Sequence, residues 1–155
     1  MATSDYTTTL LVNQSPKEAF TAINNISGWW TENIEGGTNK LNDEFKVTFG
    51  TTRKAFKIIE LVPNKKVVWQ VTDSHMPWNN NQQEWTGTKV SFEVSEKDTK
   101  TQIRFTHFGL VPAFNCFDAC SNAWGQYLQQ SLLNLITTGK GNADAKKGNA
   151  KTAKN

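Results

Sequence analysis

Short runs in which apolar and polar side chains alternate fill the middle of the chain, and one long stretch with helical spacing follows them. The alternating runs cover residues 45–49, 54–61, 67–71, 90–94 and 101–107, and a run rich in Thr, Leu and Val covers residues 6–14. A period of two is typical of strands with one buried face, as in antiparallel sheets. The sequence therefore predicts six strands in one antiparallel sheet.

Two helices are predicted, one before most of these strands and one after them. The first begins at Ser15, with Pro16 at the first helical position and Glu18 placed for a capping box. The second covers roughly residues 113–138, where apolar side chains recur every three or four positions. Since one long amphipathic helix can cover one face of such a sheet, an α+β fold is predicted.

The positive charge of the chain is concentrated at its C-terminal end. The net charge is +3, but residues 139–155 contain five Lys and one Asp, so residues 1–138 are close to neutral. That C-terminal segment has no large apolar side chain to offset the entropy of ordering. We predict one domain over residues 1–138, followed by a disordered basic tail over residues 139–155.

The remaining basic clusters are small. Arg53-Lys54 and Lys65-Lys66 are expected to be solvated strand ends, so no nucleic-acid partner is predicted. No apolar run approaches the ~20 residues that cross a bilayer, and the first residues lack the features of a signal peptide. The prediction is a cytoplasmic protein without a membrane span.

The two cysteines raise the question of a metal or catalytic site. Cys116 and Cys120 are four residues apart on the predicted helix, with His107 nearby in sequence. A zinc site lacks a fourth ligand and the usual close cysteine spacing. A disulfide along one helical turn is disfavoured, so two buried free thiols are predicted, with no metal. Asp118 would point away from Cys116, and no catalytic triad is expected.

Neither a phosphate-binding glycine loop nor a nucleophile elbow is present in the sequence. The residue types at hand therefore favour a binding protein over an enzyme. No cofactor is predicted, although the sequence leaves enzymatic activity open.

Several local patterns occur in the order and spacing of one known family. They are Gly28-Trp29-Trp30 after the first helix, a strand-turn-strand over residues 60–69 that ends in Val68-Trp69, Trp85-Thr86-Gly87-Thr88 before a strand, residues 106–110 closing the next strand, and Trp124 and Leu128 before Thr138-Gly139. Over roughly residues 5–140 the chain resembles the domain named after the activator of the heat-shock-protein-90 ATPase (AHSA-type), within the START and birch-pollen-allergen-like superfamily (SRPBCC). The resemblance implies a helix-grip fold, in which a curved antiparallel sheet wraps around a long C-terminal helix and an internal cavity.

Two functions are compatible with that resemblance. The first is binding of a small apolar or aromatic ligand in the cavity, and the alternative is a protein-interaction module of the co-chaperone type with a partner such as a chaperone. The residues expected to line the cavity are Trp69, Phe92, Phe105, His107, Phe117, Cys120, Trp124 and Leu128. An open cavity between sheet and helix would favour the first function, and a filled interior the second.

Within this predicted cavity, His107 is the candidate polar anchor. It is in phase with Ile103 and Phe105 at a strand end, and a neutral imidazole can bond a ligand head group. A purely structural histidine is the other interpretation.

Two further segments are predicted as loops. Residues 31–43 contain two adjacent glycines and several Asn. Residues 74–85 are polar except for Met76, Trp78 and Trp85, and the first two could form a lid over the cavity mouth or belong to an ordinary hairpin.

Overall fold

The computed structural model describes residues 5–143 as one curved sheet and a set of helices. The strands are β1 (Tyr6–Val12), β2 (Ile34–Gly36), β3 (Glu44–Phe49), β4 (Thr52–Val62), β5 (Lys66–His75), β6 (Lys89–Lys97) and β7 (Lys100–Phe108). The helices are α1 (Pro16–Asn24), α2 (Ile26–Trp29), α3 (Phe117–Gln126), a π-helical segment (Tyr127–Leu132) and α4 (Leu133–Thr138). The last three run on as one C-terminal helix of 22 residues.

The seven strands pair antiparallel in the order β1-β7-β6-β5-β4-β3-β2. Register shifts interrupt the β4–β5 pairing after Ala55 and after Ile58. Such irregularities bend a strand and increase its twist, which curves the sheet toward the C-terminal helix. The predicted α+β helix-grip fold is confirmed.

The start of α1 follows the sequence prediction. The Ser15 hydroxyl oxygen accepts a hydrogen bond from the Glu18 amide at 3.1 Å, and the Glu18 carboxylate accepts one from the Ser15 amide at 2.9 Å. Pro16 occupies the first helical position. The capping box therefore satisfies two amides that would otherwise lack a partner.

The segment 31–43, predicted as a loop, contains the short strand β2. Its three residues are too few to show an alternating pattern, and the last is a glycine. Ile34 pairs with Val47, so β2 forms because β3 offers an open edge. Gly36 has a φ of 108°, and a Cβ there would clash with the Glu44 carbonyl oxygen, which excludes other residues.

The C-terminal helix begins later than predicted and is not uniformly α-helical. It starts at Phe117 rather than near residue 113, because the Glu84 carboxylate accepts hydrogen bonds from the amides of Asn115 and Cys116 just ahead of it. The wide turns of the π-helical segment bury Tyr127, Leu128, Ser131 and Leu132 together. Three- and four-residue spacing in a sequence cannot reveal such a widened turn.

The first residues of the predicted tail contact the domain. Gly139 ends the helix with a φ of 85°, and the Asn142 amide donates to the Ser131 hydroxyl oxygen at 2.7 Å. Residues 144–155 of the predicted tail lie outside the described residues. Within the described chain, the helices are all too short or too polar to cross a membrane.

Candidate functional site

The side chains predicted to line a cavity meet between the sheet and the C-terminal helix. Seven of the eight are buried, namely Trp69, Phe92, Phe105, His107, Cys120, Trp124 and Leu128. Phe117 is partly buried at the margin of this core. The inward phase read from the sequence is therefore right for these strands and for the helix.

Aromatic rings pack against one another between these two faces. The Trp124 ring of the helix lies 4.5 Å from the Phe105 ring and 4.9 Å from the Trp30 ring, measured between centroids. On the sheet side, Phe92 lies 5.0 Å from Phe105 and 5.1 Å from Trp69. These are contact distances for aromatic pairs, so a ligand at this place would have to displace packed rings.

A groove of about 440 Å³ lies elsewhere, on the outer face of the sheet. Four of its eight lining residues are charged, namely Lys65, Lys66, Glu93 and Arg104, and two are valines. Lys66 already lies 3.7 Å from Glu93. The groove is thus separate from the face that was predicted to hold a ligand.

His107 is fully buried, and both of its ring nitrogens have partners. Nδ1 accepts a hydrogen bond from the Trp124 indole N–H at 3.1 Å, so the ring proton is on Nε2. Nε2 donates to the Thr88 hydroxyl oxygen at 2.9 Å, and that hydroxyl donates to the Trp85 carbonyl at 2.6 Å. The hydrogen bonds support the structural interpretation of His107, and its contact with a ligand stays a prediction.

The charge state of His107 agrees with these hydrogen bonds. Burial, followed by the nearby positive charge of Lys54, lowers the pKa of His107 to about 3. The imidazole is therefore neutral at physiological pH, as the Nδ1 acceptor role requires.

The prediction of two free thiols is wrong, because Cys116 and Cys120 form a disulfide with a Cα–Cα distance of 5.5 Å. Cys116 is not inside the helix but caps its start, with φ −90° and ψ 6°. The backbone of Cys116 is therefore not helical, and its side chain can turn toward Cys120. The Trp85 indole N–H donates to the Cys120 sulfur at 3.2 Å.

Lys54 is a buried charge that the sequence analysis placed in a solvated cluster, and that expectation is wrong. Its side chain is 8% exposed, and its ammonium lies 3.7 Å from the centroid of the Trp85 ring. Burial lowers the pKa of Lys54 to about 7. The signal available in the sequence was the two-residue period of the strand, because Lys54 is in phase with the buried residues Phe56 and Ile58.

The loop between β5 and β6 covers this end of the sheet. Met76 is fully buried, whereas Trp78 is 53% exposed and donates its indole N–H to the Thr52 hydroxyl oxygen at 2.8 Å. Glu84 accepts from the Asn79 side-chain amide at 2.9 Å and also caps the C-terminal helix. The loop is thus anchored at several points, as expected of an ordered hairpin, and a lid function stays a prediction.

The two edges of the sheet differ in how they are protected. β2 has three residues and carries Glu35 and Gly36. β1 has seven residues without a charge or a proline, and Leu11 on it is 51% exposed. Natural sheets usually protect their edges with short strands, charges or prolines. By that criterion β2 is protected and β1 is open to pairing with another strand.

The side chains in residues 5–143 bring no three His, Cys, Asp or Glu together in an arrangement that could hold a metal ion. The Cys116, Cys120 and His107 set considered from the sequence is divided between a disulfide and the indole–hydroxyl network around Thr88.

Comparison with known proteins gives one family match. Residues 18–136 match the family model described as Activator of Hsp90 ATPase homolog 1-like protein. No curated protein sequence matches the chain.

Solved structures are similar over most of the chain. The Aha1 dimer from Colwellia psychrerythraea is 27% identical with a TM-score of 0.73, covering 89% of this chain and 99% of that chain. Protein MLL2253 from Mesorhizobium loti is 15% identical with a TM-score of 0.64, covering 84% of this chain and 96% of that chain. CalU16 from Micromonospora echinospora is 13% identical with a TM-score of 0.61, covering 89% and 87%. The last two show a common fold alone.

Proposed function

Because the chain belongs to the Activator of Hsp90 ATPase homolog 1-like family, whose domains bind ligands or other proteins, we propose that it is a protein-interaction module acting through β1. The observation that carries the proposal is the open, uncharged edge of the sheet at β1. The ring contacts between sheet and helix favour the same choice, because a ligand at this place would have to displace packed rings.

Strand addition is the mode of binding that an open edge favours. An extended segment of a partner pairs with the edge through main-chain hydrogen bonds, and side chains on the exposed face add specificity. On β1 that exposed face carries Thr7, Thr9 and Leu11. At present this edge is contacted by the C-terminal helix of the same chain. The Gln129 side-chain amide donates to the Thr8 hydroxyl oxygen at 3.0 Å and lies 3.5 Å from the Thr9 carbonyl oxygen. Pairing at this edge would exchange the weak contact of Gln129 with the Thr9 carbonyl for a main-chain hydrogen bond.

The first partner to test is a second copy of the chain. The Colwellia psychrerythraea structure, which is 27% identical and covered almost completely, is described as a dimer. The second is an Hsp90-type ATPase, because the family is named after an activator of that enzyme. Both partners are expected to use the same edge, since β2 is short and charged.

The test places a charge on β1 and measures the molar mass in solution. We expect the wild-type chain of 17.4 kDa to sediment at twice its mass at high micromolar concentration, and Thr9→Lys to sediment as a monomer. The reason is that antiparallel pairing of two β1 strands would bring the introduced charges close together. Thr72→Lys is the matched control, because it exchanges another exposed strand threonine for lysine away from this edge.

Two results would refute this function. A wild-type chain that stays monomeric and also fails to bind a purified Hsp90-type ATPase has no partner of either proposed kind. A dimer that forms equally well with Thr9→Lys does not use β1.

Binding of a small apolar ligand between sheet and helix stays a prediction from the sequence. It would require the Trp124, Phe105 and Trp30 rings to separate. Native mass spectrometry of the freshly purified chain measures this directly, since a tightly held ligand adds its own mass to 17.4 kDa.

A further inference from the structure

We propose that Lys54, together with the Trp85 loop, forms a binding site for an apolar monocarboxylate. The site is distinct from the β1 edge and does not depend on the protein-interaction function. It places the polar anchor of a ligand at Lys54 instead of His107, the residue that the sequence suggested.

The central observation is a buried positive charge without an anion. Lys54 is 92% buried on the inward face of β4, and the ion pairs found in residues 5–143 involve Lys66, none of them Lys54. Its ammonium contacts the face of the Trp85 ring, which compensates only part of the lost hydration. A buried charge is normally paired or neutralised, so the ammonium has capacity for one anionic partner.

The other titratable groups on the surrounding elements do not fill that role. His107 on β7 is neutral and hydrogen-bonded at both nitrogens. Glu84 in the loop is engaged by the Asn79 side chain and by the amides that precede the C-terminal helix. Asp118, in the first turn of that helix, is exposed. A carboxylate from a ligand would therefore be the first anion to face this ammonium.

The surroundings indicate the chemical class of the ligand. Val47 on β3 lies directly opposite Lys54, and Ser74 lies opposite on β5. The Ser74 hydroxyl is already bonded to the Thr86 hydroxyl at 2.9 Å. One cation flanked by valine and indole suits a single negative charge on an apolar body. A phosphate, with its higher charge and more acceptor oxygens, would need further donors.

The entry route assigned to the ligand runs beside Trp78. Thr52 lies two residues before Lys54 on the same face of β4, and its hydroxyl oxygen accepts the Trp78 indole N–H. Trp78 is half exposed and this is a single hydrogen bond, so its ring can move aside without opening the core.

Protonation of Lys54 sets the pH dependence of the site. Burial lowers the pKa of Lys54 to about 7, so the fraction of charged ammonium falls roughly tenfold between pH 6 and pH 8. Common carboxylic acids are ionised over this whole range. Affinity for a carboxylate should therefore fall about tenfold from pH 6 to pH 8.

The experiment uses sodium benzoate as the probe and the full-length chain. Benzoate is titrated at pH 6 and pH 8, and the indole N–H signal of Trp85 is followed by proton–nitrogen NMR after its assignment with Trp85→Phe. We expect a saturable shift at pH 6, a roughly tenfold weaker one at pH 8, and none in Lys54→Met. Methionine has a similar length and no charge to bury, so this variant should stay folded.

Two controls separate the site from general effects. Lys46→Met removes an exposed lysine of the neighbouring strand β3 and should bind benzoate like the wild type. Benzyl alcohol, which has the same ring without the charge, should give no saturable shift. Equal binding in Lys54→Met, equal affinity at both pH values, or the absence of a saturable shift at pH 6 in the folded wild type would overturn the proposal.

Discussion

At the level of single residues, His107 and Lys54 show how neighbouring buried bases can have different roles. His107 has a partner on each nitrogen and is kept neutral by burial. Among the residues that the structure describes, the partner of the Lys54 ammonium is the Trp85 ring. The first therefore belongs to the framework of the core, and the second has an unused capacity to bind.

Replacement of His107 tests its structural role. His107→Ala leaves the Trp124 indole N–H without a partner in the core and removes the donor to the Thr88 hydroxyl oxygen, whose own hydrogen bond to the Trp85 carbonyl remains. We expect the free energy of unfolding to fall by about 2–4 kcal/mol, because one buried donor is left unsatisfied and a second buried hydrogen bond is lost. Urea unfolding measures this, with His75→Ala as the control outside the core. A loss below about 1 kcal/mol would contradict the assigned hydrogen bonds.

The pH dependence of stability gives a second test of His107. The unfolded chain takes up this proton near the ordinary pKa of 6.5, whereas the folded chain does so only near pH 3. Stability is therefore fully present above pH 6.5 and falls as the pH drops toward 3, by up to about 1.4 kcal/mol per pH unit.

Urea unfolding at pH 7, 6 and 5 separates this contribution from that of carboxyl groups, which titrate mainly below pH 5. His107→Gln should flatten the dependence over this range, and His75→Gln should leave it in place. A wild-type stability that is constant from pH 7 to pH 5 would show that His107 is not held neutral.

At the level of elements, the C-terminal helix is shaped by what lies at its start and in its middle. Glu84 bonds the preceding amides, the disulfide ties Cys116 to the first turn, and four side chains of the π-helical segment are buried. Contacts with other parts of the chain therefore fix where this helix begins.

The disulfide at the start of this helix predicts a defined response to reduction. We expect no thiol to react in the unfolded, unreduced chain and two thiols to react after reduction. Because the bond closes a loop of only four residues' separation, chain-entropy arguments give a stabilisation of about 2 kcal/mol. The control is the double variant Cys116→Ser with Cys120→Ser. It contains no thiol, so reductant should have no effect on it before or after unfolding. Two reactive thiols without reductant would rule out the bond.

The disulfide also bears on the cytoplasmic location predicted from the sequence. Cytosolic thiols are generally kept reduced, so in that compartment the pair is expected to be open. The same thiol titration on rapidly trapped cell extract shows which form the chain has in its own environment.

For the whole molecule, one curved sheet and the helices enclose the core, and the sheet edges remain as surfaces for other contacts. The solved structures at 13–15% identity share this fold alone. A shared fold does not fix a function, and the two proposed functions depend on particular places in this chain, β1 and Lys54.

The end of the chain gives a test at this scale. Removal of residues 144–155 should leave the melting temperature nearly unchanged, because that segment has no large apolar side chain. Removal of residues 141–155 also deletes the hydrogen bond from Asn142 to Ser131 and should lower the melting temperature by about 2–4 °C. Calorimetry of both truncated chains measures the difference, and a loss of several degrees in the shorter deletion would contradict the prediction.

Much of the fold could be read from local patterns. The two-residue alternation along β6 and β7 predicted their inward side chains, and the Ser15–Glu18 pair predicted the start of α1. These features are encoded by residues within a few positions of each other, because strand pleat, helical turn and capping all act over that range. The family resemblance then arranged the elements correctly.

The site could be predicted only in part, because the partners of its buried groups are distant in sequence. The bonds that define His107 reach across 17 and 19 positions, and Trp85 reaches Cys120 across 35. β2 likewise exists only because β3 offers an edge. Periodicity thus determined which side chains are buried, whereas the tertiary structure alone decided which partner each buried group has. Burial follows from the local geometry of the backbone, but hydrogen bonds and charge compensation depend on where separate elements meet.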